Sequence, residues 1–217
     1  MPSAKCLRES ICNVIASSAS VTKQEEKTLE VELDNILNNF FHRSDNDISS
    51  TATDKSDDYN VTPLMLACDK CCLDALIYIK DRFKRATSNS DDNIQQLKQL
   101  IEAFGHPTEE SYCGNTAAHH ALASGFSEAI DILEIIWGCI EETGSFQSSP
   151  LDRYLSLLSL TNQNGDTPLM MACVSGNVGT IRQIIECSNK LAIDSNSEMI
   201  VKTWQQRIFN NVNNENW

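Results

Sequence analysis

No run among these 217 residues approaches eighteen uninterrupted apolar positions, so no membrane-spanning helix is legible. The first thirty residues also lack the apolar centre of a signal peptide, because Arg8 and Glu9 fall where it should lie. Basic side chains are scarce: 17 Lys and Arg stand against 30 Asp and Glu, a formal net charge of −13 at pH 7. Phosphate contacts need clustered cations, so this balance argues against nucleic acid and anionic membranes and favours basic partners. Catalytic signatures are missing too. Ser and Cys are plentiful, but no G-x-S-x-G, P-loop or H-E-x-x-H occurs to make a nucleophile, a phosphate cradle or a zinc base. Nine cysteines, an odd number scattered between helical segments, fit a reducing compartment better than a disulfide framework. These absences lead us to expect a cytoplasmic or nuclear protein without catalytic residues, cofactor or metal. The length allows about 70% of the extended surface to be buried, so no staple is required.

What the chain does contain is a repeated stretch. It reads NVTPLMLACDKCCLDALIYI from Asn60, GNTAAHHALASGFSEAIDIL from Gly114 and NGDTPLMMACVSGNVGTIRQII from Asn164. A threonine just outside a helix can accept a backbone N–H, and proline at the first helical position gives up no needed donor. Thr62-Pro63 and Thr167-Pro168 are therefore strong helix starts, and Thr116 starts the middle helix. Ala67, Ala121 and Ala172 keep each short helix slim enough to lie close to its neighbours. Gly125 and Gly176 sit where the chain reverses, a place that commonly demands a positive φ. Cys71 holds that place in the first copy, at a cost of about 1 kcal/mol of strain.

This pattern resembles the ankyrin-repeat family. The third copy matches through Gly165, Thr167, Pro168, Leu169, Ala172, Gly176 and Asn177, with Ile181, Ile184 and Ile185 as the apolar side of its second helix. The middle copy keeps Gly114, Thr116, His119, Ala121 and Gly125 but puts Ala117 where proline is usual. The first keeps Thr62, Pro63, Leu64 and Ala67 and replaces both usual glycines, by Asn60 and Cys71. The resemblance implies protein recognition without chemistry, on a surface made of loop tips and short first helices. It also implies that His119 is structural, bonding toward the preceding threonine and the neighbouring loop. His120, adjacent to it, cannot share a metal-binding helix face, and packs or meets solvent. Cys68 and Cys71 form a C-x-x-C, yet Cys68 follows Thr62 at the distance at which Cys173 follows Thr167. Repeat position therefore explains it as a small buried apolar site.

The repeats are spaced too widely for the family. Thr62 to Thr116 is 54 residues and Thr116 to Thr167 is 51, against roughly 33 for an ankyrin unit. The surplus looks helical in both gaps: Ile94, Leu97, Leu100, Ile101 and Phe104 recur at helical spacing, as do Leu151, Tyr154, Leu155 and Leu158 after Pro150. Ser195 and Glu198 can form a capping box ahead of Ile200, Trp204 and Ile208, so a third such element is expected. Near the N-terminus, Leu7, Ile11, Val14 and Ile15 mark one helix. Thr22 and Glu25 then open another through Leu29, Leu33, Ile36, Leu37 and Phe40.

The expected fold is all-α: an ankyrin-type helical repeat solenoid with an extra helix inserted per repeat and a helical N-terminal cap. The expected organisation is a cap over 1–43, a polar disordered linker over 44–58, and a repeat array over 59–213 with repeats starting near 59, 112 and 162. The expected activity is that of a non-catalytic scaffold or adaptor for a protein partner, acting as a monomer. The alternative is an acidic escort for a basic client. The candidate contact residues are Tyr59, Val61, Met65, Tyr112, Cys113, Asn115, His119, Asn162, Gln163, Asp166 and Met170. Glu128, Asp131 and Glu134 form one side of a helix and are expected to be a solvated surface. The inserts either cover the recognition surface or help to create it.

Overall fold

A computed structural model describes residues 4–18, 26–41, 61–88, 93–142, 147–194 and 213. All regular structure among the described residues is helical. The elements are α1 (Ala4–Ser18), α2 (Glu26–Phe41), α3 (Pro63–Asp69), α4 (Leu73–Ser88), α5 (Asn93–Phe104), α6 (Ala117–Ala123), α7 (Glu128–Glu141), α8 (Pro150–Ser159), α9 (Pro168–Val174) and α10 (Val178–Asp194). Tyr59, the linker 44–58, the capping pairs Thr22/Glu25 and Ser195/Glu198, and the segment carrying Ile200, Trp204 and Ile208 all lie outside the described residues.

The short first helices pile on one another, α3 on α6 and α6 on α9, while α4 packs along α7. Their alanines explain the close approach: Ala67, Ala117, Ala118, Ala121 and Ala172 have no exposed surface. The turns are as anticipated. Gly125 and Gly176 have φ of 83° and 72°, and Cys71 is forced to 51°, a left-handed conformation costly for a residue with a Cβ. The first two helices continue the same arrangement, with α1 against α3 and α2 against α4. Leu7, Ile11, Ile15, Leu29, Leu33 and Leu37 join the main core there.

Both inserted stretches are helices, but they dock differently. Helix α5 packs on α4, α1 and α3, whereas α8 lies against α7 and the following α9. Leu97, Leu100, Ala103 and Phe104 place α5 firmly in the core, with Phe104 edge-on to Tyr78 at 6.3 Å between ring centres. A fully buried Phe or Leu of this kind contributes about 1.5–3 kcal/mol. Arg8 fastens α1 to the end of α5: its guanidinium bonds the Glu109 carboxylate at 2.7 Å and donates to the carbonyls of Glu102 and Ile101. Gly105 then passes so close to Thr62 that a Cβ would fall 2.7 Å from the threonine side chain.

Candidate recognition surface

Each short helix is tied to the loop before it by the same reciprocal pair of bonds. Met65 N–H donates to Thr62 Oγ1 at 3.2 Å while Thr62 N–H points to the Met65 sulfur at 3.5 Å. Met170 and Thr167 repeat this at 3.3 and 3.5 Å. In the middle repeat His119 replaces methionine: Thr116 N–H donates to Nδ1 at 3.1 Å, with Thr116 Oγ1 2.9 Å from the same atom. Since Nδ1 accepts, the proton sits on Nε2, which donates to the Asp166 carbonyl 2.9 Å away in the next loop. Burial is the main cause that lowers the His119 pKa, to about 4, so the ring is neutral at pH 7. Met65 and His119 are wholly buried and Met170 half-buried. Their side chains hold loop to helix.

The loops before α6 and α9 fold alike and bond to each other. Within them, Ser111 N–H reaches Asn115 O and Asn162 N–H reaches Asp166 O, at 2.9 and 3.0 Å. Gly114 N–H bonds Ser111 O and Gly165 N–H bonds Asn162 O, with both glycines at positive φ. Between the loops, Gln163 N–H donates to Cys113 O at 3.1 Å and Gln163 Nε2 to Tyr112 O at 2.7 Å. Asn162 Nδ2 meets Asn115 Oδ1 at 2.9 Å. A Cβ on Gly114 would lie 2.7 Å from the Gln163 nitrogen, so a side chain there would break the seam.

Tyr112, Cys113, Asn115, Asn162, Gln163 and Asp166 are thus brought together in one row. Tyr112 is 75% exposed, Cys113 and Gln163 are exposed, Asn115 and Asp166 half-buried, and Asn162 buried as the hinge of its turn. Val61 is half-buried and packs on the core.

Other groups have local roles. Cys68 is buried and its thiol pKa is pushed far up by burial; Cys71 is exposed, with Sγ 3.6 Å from Ser124 O. Among the described residues, no group of His, Cys, Asp or Glu could hold a metal. His120 is half-buried beside Asp69 at 3.8 Å, and burial lowers its pKa. Glu128 and Asp131 are exposed as expected. Glu134 departs from the expected solvated surface, because Arg153 of α8 binds it at 2.6 Å and reaches Glu141 at 3.5 Å and Ser148 O as well. Gly138 makes room, its missing Cβ being 2.9 Å from that guanidinium. No local sequence pattern marks Arg8 and Arg153 as tethers, because their targets are distant or lie across a turn.

Stacked hairpins joined by a bonded row of loops define an all-helical repeat solenoid. The ankyrin-repeat family model matches residues 164–195, and this supports placing the chain in an ankyrin-repeat family. The matched stretch spans the third loop, α9 and α10. Among curated proteins none matches the chain. An ankyrin repeat is a protein-interaction module. Among the described residues, no helix is long and apolar enough to cross a membrane.

Proposed function

We propose that this protein is a non-catalytic scaffold or adaptor that binds a protein partner along the loop row and the exposed edge of the short helices. The observation that carries this reading is the seam from Gln163 to Tyr112 and Cys113. It pre-organises two loops, so that binding costs little ordering, and leaves a large aromatic side chain outward. Exposed tyrosines are frequent anchors of protein interfaces. In this reading Tyr112, Cys113, Gln163, Asn115 and Asp166 meet the partner, with Val61 and Met170 at the margin. Met65 and His119 support the surface from beneath. The array over 59–213 does the binding, residues 1–43 shield its first hairpin, and the protein works as a monomer in cytoplasm or nucleus without a cofactor.

The test is an affinity pull-down with the intact chain, followed by titration of the captured partner against Tyr112→Ala. Truncating an anchor costs about 1–2 kcal/mol, so binding should weaken about tenfold while the unfolding midpoint stays put. Unchanged affinity would move the contact surface elsewhere. The net charge of −13 favours a second reading, an escort for a basic client, which is judged by salt dependence.

A further inference from the structure

Asparagine is followed directly by glycine once in this chain, at Asn164-Gly165. The pair lies in the loop before α9, where Asn164 is exposed and Gly165 has φ of 80°. The middle loop has Cys113-Gly114 in the same place. An asparagine side-chain carbonyl carbon is an electrophile, and the main-chain nitrogen of the next residue is placed to attack it, closing a five-membered ring. A side chain on that next residue hinders the approach, and glycine has none. Asn115 and Asn162, in the same two loops, precede Thr116 and Gln163 and are shielded in this way. Among the described residues no partner holds the Asn164 side-chain amide; its hydrogen bond runs from its main-chain N–H to Asn162 Oδ1 at 2.9 Å.

What restrains the reaction is Asn162. Its carbonyl accepts the Gly165 N–H at 2.9 Å, the group that must give up its proton in order to attack. Its Oδ1 holds the N–H groups of Asn164 and Asp166, each at 2.9 Å. We propose that Asn164 is a self-modification site that converts to aspartate and isoaspartate with water as co-reactant, and that the Asn162 turn is the latch that sets its rate. When the turn opens, the Gly165 nitrogen gives its proton to solvent and bonds to Asn164 Cγ. The Cγ–Nδ2 bond breaks, and the nitrogen takes up a proton and leaves as ammonia. Water then opens the succinimide at Cγ, giving aspartate, or at the main-chain carbonyl, giving isoaspartate with the chain running through Cβ. Asparagine and water thus become an acid and ammonia, with no change of oxidation state. Either product adds a negative charge to the exposed tip. Isoaspartate also inserts one more atom into the main chain between Asn162 and Gly165, so the bonds that close this turn no longer fit and the seam through Gln163 loosens.

The intact chain, held in neutral buffer and digested at intervals, is compared by mass spectrometry with a synthetic peptide of residues 158–171, which has no folded turn to protect it. In the chain, Asn164 should convert faster than Asn115 or Asn162, and at least about tenfold more slowly than in the peptide. Exchange of the Gly165 N–H, read by NMR, needs the same bond broken, so its protection should match that slowing to within about threefold. Asn162→Ala removes the Oδ1 acceptor and should lower both ratios together. An Asn164 that stays intact in the chain while the peptide converts would overturn the proposal, as would a chain that converts as fast as the peptide. Slow conversion with an unprotected Gly165 N–H would overturn the latch. That comparison is made in the unaltered chain and decides the matter even if the Asn162 variant does not fold.

Discussion

His119 carries a pH dependence whose direction follows from its surroundings. Burial disfavours the charged ring, and a second proton would remove the Nδ1 acceptor that Thr116 uses. The unfolded ring titrates near 6.5 and the folded one at about 4, so between those values the unfolded chain holds the extra proton. Stability is therefore full above that window and declines as pH falls through it, by about 3 kcal/mol for this group. His119→Met, the side chain found at the equivalent position in both neighbouring repeats, should keep the cap and flatten that slope in urea melts between about pH 7 and pH 4. Some slope remains, because burial lowers His106 and His120 as well. Cys71→Gly should relieve the positive φ and stabilise by about 1 kcal/mol, read as a rise of about 3 °C in thermal midpoint. The threonine starts and the reversing glycines were legible because their chemistry is local. The sulfur of Met65 and Met170 as a cap acceptor was not, since a thioether is a weak acceptor and carries no pattern of its own.

At the scale of elements, Arg153 pins α8 to α7. Its side chain is 12% exposed, between Glu134 and Glu141 at 14% and 17%. Arg153→Met should cost about 2–4 kcal/mol, because two half-buried carboxylates lose their cation; adding Glu134→Gln should recover part of that. Equilibrium urea unfolding of the single and double variants measures both effects. Periodicity revealed α1, α2 and both inserts, since an amphipathic stripe is a property of the segment itself. It did not reveal that α5 turns back onto α1 while α8 goes forward to α9. A stripe says that one face will be covered and leaves open by what.

For the whole molecule, the charge of −13 is a property of the sum, and its local meaning depends on pairing. Glu109, Glu134 and Glu141 are engaged by arginines, while Glu128 and Asp131 are exposed at the surface; the helix around Asp131 still removes part of its water, and this together with the neighbouring Glu128 raises its pKa. An escort for a basic client should lose at least about tenfold in affinity between about 50 and 300 mM salt, as screening shortens the reach of exposed charges. A salt-insensitive Kd sinks that reading and leaves the loop-row reading standing.

In the seam between the two loops, Gln163 bonds the main-chain oxygens of Tyr112 and Cys113. Residue types at those two tips can accordingly be exchanged without dismantling what holds them in place. If the loop row is the contact surface proposed above, specificity and architecture lie in separate atoms there, and exchanging those two residues should change the partner while leaving the seam in place.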